Sequence, residues 1–183
     1  MIGSPHVHVR KVRIQNFRSL RNLEVDLESY LSIIVGKNNS GKTSLLLAME
    51  RFLAGGLNVR FELDDFNIEL QKRLGRLLDE TEEPTEPFPP CGITLRLFIE
   101  YGDTDDLGNV GDKVIMDLDP DNRQIVLDFL YHIPSENLAA LTRDYKAHKA
   151  KKAAEAKKAK TALEFLRGDL RRYFKLARRS VQF

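Results

Sequence analysis

The stretch from residue 31 to residue 53 restricts the fold more than any other. It opens with the apolar run Leu31-Ser32-Ile33-Ile34-Val35 and passes at once into Gly36-Lys37-Asn38-Asn39-Ser40-Gly41-Lys42-Thr43. Leu45, Leu46, Ala48, Met49, Phe52 and Leu53 then recur at helical spacing until Gly55-Gly56. A continuous β-branched run predicts a central strand buried on both faces, and the recurring apolar positions predict a helix stopped by the glycine pair. A strand, a glycine loop and a helix in that order match the pattern Gly-x4-Gly-Lys-[Ser/Thr] in full.

Each position of the octet has a physical reason. Gly36 and Gly41 allow turns that a Cβ would obstruct. Backbone N–H groups from Asn38 to Thr43 can then point inward around a phosphate, and the helix starting near Lys42 aims its positive end at the same anion. Lys42 adds a point charge for the β- and γ-phosphates, which makes it the candidate catalytic residue. The Thr43 hydroxyl is a hard oxygen donor for Mg²⁺, and Asn39 tolerates left-handed dihedrals. The expected ligands are ATP and Mg²⁺, held by Gly36, Lys37, Asn38, Asn39, Ser40, Gly41, Lys42, Thr43 and Ser44. GTP is disfavoured, because the guanine-recognising pattern Asn-Lys-x-Asp does not occur. Asp105-Asp106-Leu107-Gly108 fits Asp-x-x-Gly, but in an acidic glycine-bearing loop that spacing carries little information.

Elsewhere alternation dominates. Val7, Val9, Val12 and Ile14 alternate with basic residues, and Leu23, Val25 and Leu27 alternate with Glu24, Asp26 and Glu28, which predicts an antiparallel, hairpin-like pair. Further strands are expected at Ile93–Ile99, Val114–Leu118 and Ile125–Leu130, the last two joined by the turn Asp119-Pro120-Asp121-Asn122. Asp64-Asp65-Phe66 is expected to cap a helix from about Asn67 to Leu78, and Glu80 to Pro90 reads as an exposed loop. Pro134-Ser135-Glu136 opens a stretch rich in Ala, Lys, Leu and Arg that predicts helix through Arg179, interrupted only by Gly168.

Charge divides the chain. Residues 142–183 hold 14 basic against 4 acidic residues, and residues 1–141 hold 15 against 23. The organisation expected is an acidic lobe over residues 1–134 and a basic helical segment over 135–183, the latter suited to an anionic partner. Arg167, Arg171, Arg172, Arg178 and Arg179 are candidates for DNA phosphates, without base readout. Lys146–Lys160 reads equally well as a solvated helix with no partner. Cys91 is the only cysteine, which suits a reducing cytoplasm and a buried structural role. The apolar runs are too short for a bilayer. His6, His8 and His148 show no metal-ligand spacing.

Val12-Arg13-Ile14-Gln15-Asn16-Phe17-Arg18-Ser19-Leu20, taken with Ile33 to Leu46, resembles the amino-terminal lobe of ABC-type ATPases of the SMC, RecF and OLD (overcoming-lysogenization-defect) group. The Asn38-Asn39-Ser40 triplet and Asp64-Asp65-Phe66 are most similar to the OLD nucleases. The strong resemblance covers about residues 9–55, and a weaker one extends to about 130. It implies an α/β phosphate-loop head with a mixed sheet, antiparallel outer strands and a helical insertion. It also implies that Arg18 and Ser19 lie beside the nucleotide. ATP would be bound between two heads of a homo-oligomer, or against the remainder of a larger protein, in DNA repair or antiphage defence.

Two departures from the family pattern matter. No segment after residue 130 supplies an apolar strand ending in Asp-Glu, a serine-glycine signature or a switch histidine. Val126-Leu127-Asp128 is followed by Phe129, and His132 comes too early in the family order. The clustered carboxylates of a Toprim nuclease are absent as well. The chain therefore reads as the first part of a larger ATPase, one that binds ATP but needs further elements for turnover. The alternatives are a non-hydrolysing nucleotide sensor or scaffold that works with a defence effector, and a repair protein of the SMC/RecF type without nuclease.

Overall fold

The computed structural model describes residues 7–38, 40–54, 60–79, 91–102, 105 and 123–181. Among the described residues there are five strands: β1 (His8–Phe17), β2 (Leu20–Asp26), β3 (Cys91–Glu100), β4 (Gln124–Ile133) and β5 (Lys175–Val181), the first three showing the clearest alternation of apolar and polar residues. They form one sheet in the order β2-β1-β3-β4-β5, with every neighbouring pair antiparallel. The expected hairpin is β1–β2, closed by Arg18 and Ser19 between the paired residues Phe17 and Leu20.

The two faces of the sheet differ as alternation requires. One face presents Val12, Ile14, Ile93, Leu95, Leu97, Tyr131 and Ile133 to a single apolar core. The other carries a charged row in register across all five strands: Glu24, Arg13, Arg96, Asp128 and Arg179. Four helices among the described residues complete the core: α1 (Lys42–Leu53), α2 (Ile68–Leu78), α3 (Ser135–Ala154) and α4 (Ala162–Tyr173). They contribute Leu45, Ala48 and Phe52 from α1, Leu70, Leu74 and Leu77 from α2, Leu138, Leu141 and Tyr145 from α3, and Leu166, Leu170 and Tyr173 from α4. Aromatic contacts knit the layers together. Phe61 stacks on Tyr131 with centroids 4.4 Å apart, and Phe66 meets Phe174 edge-on at 5.1 Å. Cys91 is buried at the start of β3, as expected of a small structural residue.

Three expectations are corrected. Leu31–Val35 forms no strand among the described residues; Leu31, Ile33 and Val35 are 71%, 76% and 83% exposed. A β-branched run is stable as a central strand only when ladders flank it, and none of the sheet's strands pairs with it. The helical stretch expected through Arg179 is two helices followed by a strand. α3 ends at Ala154 and the chain turns at Ala156 (φ 52). α4 is capped at its start by Thr161, whose hydroxyl accepts from the Glu164 N–H, and is kinked at Asp169. Lys175–Val181 then returns to the sheet beside β4, so pairing with a neighbouring strand wins over its helix-favouring composition. Finally, α2 is capped by Asn67, whose side chain accepts from the Glu69 N–H. Asp64 and Asp65 belong instead to a 3₁₀ turn, Leu63–Asp65.

The residues beyond the expected boundary at 134/135 share the core of the residues before it. On α1, Leu46 and Leu53 are 62% and 42% exposed, so the buried stripe is narrower than the expected apolar face. The expected strand 114–118, the turn 119–122, the loop 80–90 and the Gly55-Gly56 helix stop lie outside the described residues.

Candidate functional site

The octet forms the entry to α1. Gly41 is the residue before the helix and has φ 93, a left-handed conformation that glycine adopts without strain. A Cβ there would also lie 2.5 Å from Leu20 Cδ2, so the β1–β2 hairpin is pressed against the loop. At Gly36 a Cβ would meet Ser40 Oγ at 2.8 Å. Gly41 is therefore required by its dihedral and its close approach together, whereas at Gly36 only the approach of the Ser40 side chain disfavours a Cβ. The Leu45 N–H donates to the Gly41 carbonyl at 2.9 Å, which leaves the first-turn amides of α1 available to an anion. No acidic residue lies in that turn to compete for them.

Lys42 projects into the curve of the loop. Its Nζ donates to the Gly36 carbonyl at 2.6 Å, the Lys37 carbonyl at 2.7 Å and Ser40 Oγ at 3.3 Å. These three oxygens fix the ammonium where the loop backbone converges. Ser19, Asn38, Ser40, Gly41, Lys42, Thr43 and Ser44 line an open cleft of about 690 Å³. The structure thus brings together most of the residues the sequence nominates. Gly36 and Lys37 contribute their carbonyls to Lys42, and Asn39 lies outside the described residues. The arrangement suits a polyphosphate: a helix N-terminus, one ammonium and four small hydroxyls, with no carboxylate among the lining residues. Among the described residues no cluster of His, Cys, Asp or Glu could hold a metal ion by itself. Mg²⁺ would accordingly depend on the Thr43 hydroxyl and on oxygens of the nucleotide and water.

Comparison with known proteins supplies the family. The family model described as "AAA ATPase domain" matches residues 8–179, nearly the whole chain. The chain belongs to the AAA ATPase domain family. Among curated proteins, the DNA replication and repair protein RecF from Francisella tularensis subsp. mediasiatica (strain FSC147) is 31% identical over 91 residues. That stretch is 50% of this chain and 24% of the relative. RecF from F. tularensis subsp. novicida (strain U112) matches at the same identity and coverage. The matched stretch therefore spans about a quarter of the length of these relatives. A solved chain from work on ATP-driven dimerization and DNA stimulated activation of SMC ATPases overlays with a TM-score of 0.40 at 16% identity. It covers 70% of this chain and 64% of that one.

Within this AAA ATPase domain Arg18 does not line the cleft. Its Nε and Nη2 donate to Asp65 Oδ1 at 3.0 and 2.9 Å. Ser19, the next residue, does line the cleft. Asp65 is 1% exposed, and its other oxygen accepts from the Glu62 N–H at 3.1 Å and faces Arg51 Nε at 3.9 Å. Asn67 is the second residue that sequence reasoning missed in this role: its Nδ2 donates to the Arg18 carbonyl at 2.6 Å. The only signal for either was the motif-like Asp64-Asp65-Phe66, which says nothing of a partner 47 residues away.

The basic arginines are largely engaged within the domain. Arg167 pairs with Asp64 through two bonds of 2.7 Å, and these hold the Asp64 carboxyl below the usual carboxylate range. Arg172 pairs with Asp144 at 2.8 Å; a bond from the Tyr173 hydroxyl is the larger cause of that carboxyl's lowered pKa. Burial pushes the Tyr173 hydroxyl up to about 12. Arg179 reaches Asp128 at 3.3 Å, and Arg178 lies over the Phe129 ring at 5.8 Å. Asp128, in the segment that most nearly matched an apolar strand ending in an acid, is buried between Arg96 and Arg179 and is not part of the cleft.

Proposed function

We propose that this domain binds ATP with Mg²⁺ at the Gly36–Ser44 loop and serves as the nucleotide-binding lobe of a RecF- or SMC-like ATPase acting on DNA. The observation that carries the reading is the Lys42 ammonium, held at the convergence of the loop backbone beside the free first-turn amides of α1. The chain's residues would divide the work. Backbone amides at the start of α1 bind phosphate oxygens, Lys42 neutralises charge on the β- and γ-phosphates, and Thr43 places its hydroxyl on Mg²⁺. ATP supplies the γ-phosphoryl group. The head would act in the cytoplasm, paired with a second head or with the rest of a longer protein. No helix among the described residues is long and apolar enough to cross a membrane. The exposed run Leu31–Val35 supports that pairing, since its apolar side chains gain by burial against strands from outside these residues.

The finer placement, with the OLD-like branch and antiphage defence, rests on Asn38-Asn39-Ser40 and Asp64-Asp65-Phe66. DNA contact would fall to the basic face of α3 around the exposed Lys151 and to the exposed Arg171, while Arg167, Arg172 and Arg179 are paired within the domain, as are Lys149 with Asp79 and Lys152 with Glu155.

The test is nucleotide-dependent stabilisation. ATP at 100 times its dissociation constant should stabilise the wild type by about 2.7 kcal/mol, and Lys42→Ala should remove that gain while the nucleotide-free fold melts unchanged. An equal ATP-induced melting shift in both proteins would remove the loop as the site.

A second reading is favoured by the engagement of Asp128 with two arginines away from the cleft. Here the domain binds ATP as a sensor or scaffold and does not turn it over. Steady phosphate release from the chain alone, abolished in Lys42→Ala, would rule that reading out.

A further inference from the structure

Three features outside the phosphate loop form a single device. The β1–β2 hairpin is bent through two non-glycine residues with positive φ, Asn16 at 62° and Arg18 at 49°. Neither is a glycine, so the left-handed turn must be held from outside. It is held mainly by one segment, residues 65–67, with Asn16 Nδ2 also donating to the Gly92 carbonyl at 3.1 Å. The Arg18 N–H donates to the Asp65 carbonyl at 2.8 Å, the Asn67 N–H donates to the Asn16 carbonyl at 2.8 Å, and Asn67 Nδ2 donates to the Arg18 carbonyl at 2.6 Å. The Asp65 carboxylate fixes the Arg18 guanidinium, with its other oxygen near Arg51 of α1. The residues that follow the turn are the ones that meet the site. Ser19 lines the cleft, and Leu20 presses on Gly41.

We propose that Asp65, supported by Asn67, is a positioning residue for the phosphate loop: it holds the 16–18 turn left-handed, so that Ser19 and Leu20 form a fixed wall against Gly41. The inference rests on the nucleotide-binding reading above and deepens it. Asp65 touches no residue that lines the cleft and acts through Arg18 and the turn backbone. Its other oxygen faces Arg51 in the last turn of α1, away from the residues of that helix that line the cleft. Arg18 is then a structural strut, and its guanidinium is not a ligand of the nucleotide.

Asp65→Asn tests this, because an amide offers one acceptor oxygen where the carboxylate uses two. The dissociation constant for a fluorescent ADP analogue should rise about tenfold, with the far-ultraviolet circular dichroism of the nucleotide-free protein unchanged. The decisive arm is rescue. Glycine accepts positive φ without help, so Arg18→Gly in the Asp65→Asn background should recover most of the lost affinity. A residue needed only for overall stability would not be rescued by deleting its ion-pair partner. If Asp65→Asn fails to fold, Asn67→Ser carries the same test, since serine still caps α2 but is too short to reach the Arg18 carbonyl. Equal affinity in the wild type and the variant overturns the proposal and leaves the nucleotide site standing. A double variant as weak as Asp65→Asn also overturns it, because that result assigns the Arg18 guanidinium to the nucleotide. Saturable binding in neither the wild type nor Lys42→Ala would overturn the nucleotide reading itself, and with it this inference.

Discussion

Asp65 and Asp128 are the two buried carboxylates among the described residues, each 1% exposed and each facing two arginines. Their chemistry is alike and their surroundings are not. Asp128 sits within a regular ladder, directly opposite Arg96 on β3 and Arg179 on β5. The backbone there would be extended without it, so the carboxylate joins strands whose shape is already determined. Asp65 sits in irregular backbone and also accepts a main-chain N–H. There it helps to determine the shape of a turn that regular hydrogen bonding does not set. Buried ion pairs in a sheet therefore bear on stability, whereas the same pair beside a strained turn bears on geometry at the neighbouring site.

The largest expected effect is on the sheet side. Arg96 donates to both oxygens of Asp128, at 2.5 and 2.8 Å, and this carboxylate raises the arginine's pKa. Arg96→Ala would leave Asp128 buried with only the more exposed Arg179, whose side chain is 59% accessible. A loss of about 3 kcal/mol in urea unfolding at neutral pH is expected, because the uncompensated carboxylate keeps its desolvation penalty. Nucleotide affinity, measured where the variant is folded, should not change. A change in affinity comparable to that of Asp65→Asn would erase the distinction between the two sites.

On the other side, Asn67→Ala removes two bonds at once: the Nδ2 bond to the Arg18 carbonyl and the cap on the Glu69 N–H. A lost helix cap costs about 1 kcal/mol and an unpaired buried carbonyl adds a similar amount, so a loss of about 2 kcal/mol is expected. Unlike Arg96→Ala, this variant should also weaken nucleotide binding. Full affinity after such a loss of stability would show that the turn keeps its shape without Asn67.

This contrast also explains what could be read in advance. The strands around Val12, Val25, Leu95 and Leu127 were legible because alternation reports burial directly, and the loop was legible because its full motif includes Gly41, whose positive φ favours glycine. The Arg18–Asp65 pair was not legible, because the sequence shows an arginine beside a loop and not the carboxylate it pairs with 47 residues away. Leu31–Val35 was misread because composition reports a preference for burial, while the neighbours that would satisfy it are a property of the assembled sheet. Lys175–Val181 reads as a helical tail by composition, and only its pairing with β4 reveals the strand. Short-range signals thus recovered most of the elements and the glycine loop at the entry to α1, and long-range pairing had to be seen.

The smallest expected effect tests whether the 3₁₀ turn has a second anchor. Asp64 is next to Asp65 but points outward to Arg167 of α4, with a side chain 62% exposed. Arg167 lowers its pKa, so the folded value lies below the unfolded one. The sign follows: the pair contributes fully above the unfolded carboxylate value of about 4 and is lost as pH falls through the lower folded value. Wild type and Asp64→Asn should therefore differ slightly in melting temperature at pH 7 and converge as pH falls below the lowered folded value, where the protonated Asp64 carboxyl is as uncharged as the asparagine amide. The other carboxylates titrate in both proteins and cancel in the difference. Because the pair is solvated, the gap should be a small fraction of that for Arg96→Ala and should shrink in salt. A gap that persists unchanged to pH 3 would mean that Asp64 acts through the hydrogen bonds of the turn and not through its charge, and would place it with Asp65 as part of the device that shapes the loop.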